Sequence, residues 1–272
     1  MHRVLLLGGL DPCGGAGITA DSTVVALHGA WPLPIAVVLT AQNRHGFQAL
    51  DPVPAGVWQR ALRAALADGD VHAVKVGLLG SASTVAAVAE ALSPLRGRAP
   101  IVVDPVLSAT AGGFEPSASR AGTTLAEAYR TQLAPLATLL TPNLPEANAI
   151  YGARPEVVLG AGCGFVLEKG GHGDGAFVED RLHGPGGVTS FRRPRLAVGP
   201  VHGTGCALAS AIASGLAQGR DVARACAQAG DWLFALLQAL GPAPAGGLPR
   251  PLPLGPISPP PSSPARPSTS PR

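Results

Sequence analysis

Short apolar runs alternate with amphipathic stretches along most of this chain. Residues 4–8, 35–40, 73–76, 101–104, 136–141 and 164–168 are brief and rich in Val, Ile and Leu, the pattern of strands buried on both faces of a parallel sheet. Between them, residues 16–28, 54–67, 81–92, 117–133 and 144–151 carry alanine-rich or i, i+3, i+4 apolar spacing, and longer helical stretches follow at 205–218 and 221–240. The alternation predicts one three-layer α/β domain over residues 1–240, a mostly parallel central sheet flanked by helices. Alternating pieces at 175–179, 181–183 and 188–192, with glycines between, predict a small antiparallel extension.

From residue 241 the composition changes: twelve prolines, five serines and no acid. Residues 241–272 therefore read as a disordered or polyproline-like tail. Its three arginines account for the formal net charge of +3, which leaves the body close to neutral. Without a basic patch interleaved with aromatics, nucleic acid is excluded as a partner. The apolar run at 4–10 reads as a first strand rather than a signal peptide, and no run is long enough to span a membrane. Four cysteines with no C-x-x-C pair and no zinc-type histidine spacing predict reduced thiols in a cytoplasm.

In open α/β sheets ligands bind beyond the carboxyl ends of the strands, so the polar residues at those ends belong together. The first strand runs into a glycine-rich turn from Gly8 to Gly17, with Asp21 beyond it either taking part or facing solvent. Residues 15–20 satisfy G-x-G-x-x-A, but the second strand ends in Leu39-Thr40-Ala41-Gln42 without the acid a dinucleotide ribose needs. Gln42 and Asn43 offer instead two-way amides, suited to a heteroaromatic ring or to capping the loop. Asp104, Asn143 and Glu146 supply hard oxygens of the kind that hold a hydrated Mg²⁺, though Glu146 taken alone also suits a helix first turn. Lys169 is one of only two lysines, the other being Lys75, and precedes two glycines, where it can reach a polyphosphate. No Walker loop is present.

His202-Gly203-Thr204-Gly205-Cys206 opens into a helix, so unpaired N–H groups and the positive end of a helix dipole converge on one point. A thiol there is expected either to shift from about 8.5 toward thiolate or to sit buried as a small apolar residue in a tight strand-to-helix turn. A cysteine hydrolase is disfavoured, because Thr204 stands where a nucleophile elbow needs glycine.

Taken in order, 7–21, 41–43, 75–79, 104–106, 141–147, 169–172 and 202–206 resemble the hydroxymethylpyrimidine/phosphomethylpyrimidine kinases of thiamine biosynthesis, within the ribokinase-like superfamily, over about residues 3–240. The resemblance implies ATP-dependent phosphorylation of 4-amino-5-hydroxymethyl-2-methylpyrimidine and then of its monophosphate. It implies Gln42 and Asp21 at the ring with Gly9, Ala16, Leu78 and Val106 around it. The N–H groups from Gly203 through Thr204 and Gly205 to Cys206 would face the transferring phosphoryl group, with Cys206 as proton acceptor. Lys169, Asn143 and Thr204 would meet ATP, and Glu146 and Asp104 would position Mg²⁺. A homodimer is also expected. Cys13 replaces a usual serine, and Thr110-Ala111-Gly112-Gly113 replaces a loop that often carries lysine or serine. Residues 149–164, with Pro155 and several glycines, are short where relatives have a longer helical stretch, so one covering helix is expected to be lost there while the crossover remains long enough. A pyridoxal or pyridoxine kinase and a non-catalytic pyrimidine-binding relative are the alternatives.

Overall fold

The computed structural model describes residues 1–43, 45–107, 123–173, 175–243 and 248–255. The elements run β1 (Arg3–Leu10), α1 (Gly17–Leu27), β2 (Trp31–Asn43), β3 (Gly46–Pro52), α2 (Ala55–Ala67), β4 (Ala73–Val76), α3 (Ala82–Leu92), β5 (Ile101–Val103) and α4 (Leu125–Ala128). There follow β6 (Leu139–Leu140), α5 (Leu144–Tyr151), α6 (Glu156–Gly160), β7 (Phe165–Glu168), β8 (Phe177–Gly184), β9 (Gly187–Pro194), β10 (Val201–His202), α7 (Thr204–Ala217), α8 (Val222–Leu240) and β11 (Arg250–Pro251). Nine strands form one sheet in the order β3-β2-β1-β4-β5-β6-β7-β8-β9. The six from β2 to β7 are parallel, and β3, β8 and β9 are antiparallel to their neighbours.

Both faces of the sheet are covered because side chains alternate across it. Leu5, Leu7, Val74 and Val76 enter one core with residues of α2, α3 and α5, while Val4, Leu6 and Ala73 enter the other with α1, α7 and α8. The strand order turns back at β1, which has β2 on one side and β4 on the other. That reversal opens a crevice at the carboxyl ends of β1 and β4, the place where such sheets bind ligands.

Several details depart from the sequence expectation. β6 is only two residues long, because Pro135 stands in the 3-10 turn Ala134–Leu136 that precedes it. β2 starts earlier than its apolar run; Pro32 and Pro34 are tolerated because β3 pairs only from Val38 onward and leaves that stretch an edge. The pieces expected at 175–179 and 181–183 are one strand, β8, with Asp180 inside it opposite Phe191. In the short crossover α6 still stands, so the covering layer is shortened rather than lost.

The boundary expected at residue 240 does not end the ordered chain. Arg250 and Pro251 pair with β10, and Leu252, 6 % exposed, joins the second core with Leu254 packed against it. Two leucines among the prolines, Leu252 and Leu254, supply the apolar anchors that the composition hid. The 110–113 loop and the tail from 256 lie outside the described residues.

Candidate active site

Of the residues singled out at the strand ends, all but Asn43 line one cavity of about 660 Å³. Gly9 and Ala16 come from the turn after β1, Gln42 from the end of β2, and Leu78 from the turn after β4. Asp104 and Val106 follow β5, Asn143 and Glu146 open α5, and Lys169 follows β7. The floor is the turn from β10 into α7.

That turn depends on Gly203, the N-cap of α7, at φ 81°. A side chain there would also collide with the Gly15 carbonyl, so the two glycine turns touch backbone to backbone. Gly205 sits against Lys169, whose Nζ would lie 3.1 Å from an added Cβ. The amides of Thr204, Gly205 and Cys206 belong to the first helical turn, where no intrahelical acceptor exists.

Lys169 donates to Asp104 Oδ1 at 2.7 Å, and Thr141 donates to the same oxygen at 3.3 Å. Burial favours protonation of Asp104, but Lys169 and Lys75 outweigh it and hold the carboxyl below its ordinary value. Burial likewise disfavours the Lys169 charge, which Asp104 and Glu146 restore, so the lysine stays protonated. The backbone behind it is fixed from both sides: Lys169 N donates to Pro142 O, and Gly170 N to the Asp180 carboxylate at 2.9 Å.

Asn143 and Glu146 form a reciprocal capping box on α5, at 2.8 and 2.9 Å. The helix-first-turn reading of Glu146 is therefore correct as far as it goes. Yet Glu146 is 6 % exposed, and burial with Asp104 beside it pushes its carboxyl up to about 7 against the pull of Lys169. No group of three or more His, Cys, Asp or Glu able to hold a metal occurs among the described residues. The described residues thus build no fully protein-held ion, although an ion shared with phosphates needs only one or two such carboxylates.

Asp21 neither faces solvent nor stands free for a ligand. Its carboxylate accepts Lys75 Nζ at 2.6 Å and Ser210 Oγ at 2.8 Å, joining α1, β4 and α7 beneath the cradle. Lys75 is 1 % exposed, and Asp21 holds its ammonium above the ordinary value despite burial. Asn43 caps its own loop, its Oδ1 accepting the His45 N–H at 2.8 Å. Cys13 keeps the first turn closed by donating to the Gln42 carbonyl at 3.1 Å.

The Cys206 thiol departs from the thiolate expectation. Burial pushes it up to about 12, and Asp21 and Asp104 act in the same direction against Lys75 and the Gly17 N–H. Two nearby carboxylates and poor solvation outweigh the end of the helix dipole.

Three sets of lining residues were not foreseen. Lys75 carried a signal, since it shares the scarcity of lysine with Lys169. Asp11 and His202 bridge the two glycine turns: Asp11 accepts Cys13 N and Ala16 N at 2.9 Å, and its Oδ2 lies 3.1 Å from His202 Nε2. Burial raises Asp11, but His202 and these N–H groups bring it below the usual carboxylate range. The third set, Val178, Leu196, Val198, Leu233, Phe234 and Leu237, gives the cavity an apolar side, here called the apolar lobe, while Asp180, Arg193 and Arg195 also line the cavity. Single apolar residues on a strand and a helix carry no sequence signal for it.

Residues 11–243 match the phosphomethylpyrimidine kinase family. The hydroxymethylpyrimidine/phosphomethylpyrimidine kinase of Rhizobium meliloti is 36% identical over 250 residues, covering 86% of this chain and 90% of that protein. The thiamine biosynthesis multifunctional protein ThiED of Corynebacterium glutamicum is 35% identical over 243 residues; the match takes in 85% of this chain but only 31% of that longer protein. Among solved structures, phosphomethylpyrimidine kinase from Clostridium difficile superposes with a TM-score of 0.71 at 29% identity, over 86% of this chain and 99% of that one. An ADP complex of Bacillus subtilis pyridoxal kinase gives 0.76 at 25% identity, over 87% and 91%. With its strand-end residues gathered in one cavity and its sequence matched over most of its length, the chain belongs to the phosphomethylpyrimidine kinase family.

Proposed function

We propose that this enzyme transfers the γ-phosphoryl group of ATP to the hydroxymethyl oxygen of 4-amino-5-hydroxymethyl-2-methylpyrimidine, and then phosphorylates the monophosphate to the diphosphate, in thiamine diphosphate biosynthesis. The observation that carries the reading is the meeting of the α7 amides with Lys169 in a cavity that also holds Gln42. Phosphoryl transfer asks a protein mainly for positioning and charge stabilisation, which is what these groups supply.

Gln42 pairs with the aminopyrimidine edge, between Leu78 and Val106 and against the backbone of Gly9 and Ala16. The N–H groups of Thr204, Gly205 and Cys206 stabilise charge on the transferring group, and Lys169 reaches the phosphates with Asn143 beside it. As the new O–P bond forms and the bond to the ADP oxygen breaks, the hydroxyl proton passes to the Cys206 sulfur. That sulfur must already be ionised, so the reaction is expected to quicken at alkaline pH. The apolar lobe takes the nucleotide base. A bound Mg²⁺ would neutralise phosphate charge, with Glu146 and Asp104 as its nearest protein carboxylates. Asp21 acts one step back, by holding Lys75 under the thiol. A cytoplasmic homodimer is part of the same reading; the four free cysteines support a reducing compartment, and sedimentation tests the dimer.

Purified protein with Mg²⁺, ATP and the hydroxymethylpyrimidine is expected to give the monophosphate and then the diphosphate, with pyridoxal a weaker competitor. Preferential phosphorylation of pyridoxal would assign the pyridoxal kinase activity instead. Tight pyrimidine binding without product would assign a non-catalytic role.

A further inference from the structure

The family match ends at residue 243, yet residues 248–255 touch the strand that feeds the phosphate-facing turn. β11 pairs in parallel with β10, Val201 opposite Arg250 and His202 opposite Pro251, and Arg250 N donates to Pro200 O at 3.1 Å. The next residue along is Gly203. On its other side the same strand is held through His202 to Asp11.

The Arg250 side chain reaches further than its backbone. Its guanidinium donates to Val198 O at 2.6 Å, to Gly241 O at 2.8 Å and to Leu240 O at 2.9 Å. Val198 lines the apolar lobe on the loop side, while Leu240 and Gly241 end α8, whose Leu233, Phe234 and Leu237 line it on the helix side. One planar group thereby ties together two walls of the lobe, and it caps helix carbonyls that have no intrahelical partner. Its Nε is buried without a hydrogen-bond partner among the described residues. Leu252 and Leu254 anchor the segment in the core behind it.

We infer that residues 248–255 form a strap that sets the width of the nucleotide lobe and the approach of the Gly203 turn, with Arg250 a positioning residue for the phosphoryl donor. The inference rests on the kinase reading above. Losing the strap misplaces the donor, and small misplacements are costly because a reacting pair must be held close to its attack geometry.

The test uses the full-length chain with Arg250→Ala and Arg250→Lys, measuring ADP affinity by calorimetry, KM for ATP and for the pyrimidine, kcat and melting temperature. Arg250→Ala is expected to weaken ADP binding and raise KM for ATP about tenfold, with KM for the pyrimidine changed less than about twofold. Arg250→Lys restores only part of this, since an ammonium cannot reproduce the fork. A lower melting temperature with wild-type ADP affinity and KM for ATP would overturn the inference by leaving a merely structural role. If Arg250→Ala does not fold, Arg250→Lys decides: nucleotide binding like the wild type overturns the strap, and weakened binding supports it. Calorimetry keeps the two readings apart, because a wild-type chain that binds ADP and phosphorylates no pyrimidine contradicts the kinase reading alone.

Discussion

The two lysines of this chain make nearly the same bond and do different things. Lys169, just beyond β7, meets Asp104 at 2.7 Å, and Lys75, inside β4, meets Asp21 at 2.6 Å. Their access differs: the Lys169 side chain is 13 % exposed and lies against Gly205, whereas both partners of the Lys75 pair are 1 % exposed. An ion pair at the cavity wall can trade its carboxylate for an incoming phosphate, while a pair with almost no accessible surface chiefly holds the elements that meet in it. On the proposed function the same chemistry serves transfer in one place and scaffolding in the other.

Replacing Lys169 separates the two most strongly. Lys169→Met is expected to lower kcat by about 10²–10³-fold, the usual effect of removing one stabiliser of transition-state charge, with the fold retained by circular dichroism. A variant of near wild-type rate would place the phosphate elsewhere. Lys75→Met is expected to act on stability, costing about 3–5 kcal/mol because Asp21 is left buried and unpaired. Chemical denaturation measures it, and Lys75→Met with Asp21→Leu should recover much of the loss. A large kinetic defect at unchanged stability would put Lys75 in contact with ligand.

Glu146 gives the smallest and subtlest effect. Its carboxyl, pushed up to about 7, holds a proton in the folded state that the unfolded chain releases near 4.5. The folded state binds more protons across that window, so this group makes stability fall as pH rises from about 4.5 to 7. Glu146→Gln keeps the capping-box bond and should flatten that slope in chelator-treated protein, read from melting temperatures at pH 5 and pH 8. An unchanged slope would remove Glu146 as its source.

How much of this could be read from the chain follows the same division. Polar residues at strand ends stood out because they interrupt apolar runs, so Gln42, Asp104, Asn143, Glu146 and Lys169 were all legible before any coordinates. Lys75 sits within an apolar strand, where alternation alone says buried and gives no partner. Its companion Asp21 lies more than fifty residues earlier, on a helix with no strong amphipathic pattern. The apolar lobe was illegible for a different reason, since Leu233, Phe234 and Leu237 look like ordinary core on a helix. The strap was concealed by proline, which signals an extended chain but not what it pairs with. The state of the thiol is hidden in sequence because a helix terminus is local and visible there, while the burial that chiefly pushes it up, and the two carboxylates that add to it, come from distant strands and helices.

Cys206 joins the two lysine regions, since Lys75 lies beneath it and the cradle it closes faces Lys169. The most direct test is the pH dependence of kcat/KM for hydroxymethylpyrimidine phosphorylation, in wild type and Cys206→Ala. The account predicts a wild-type value that climbs with pH beyond 9, as expected for a free-enzyme base pushed up to about 12, and a variant about 10²–10⁴-fold slower without that climb. A wild-type plateau reached below pH 7, or a variant that turns over like the wild type, would contradict it.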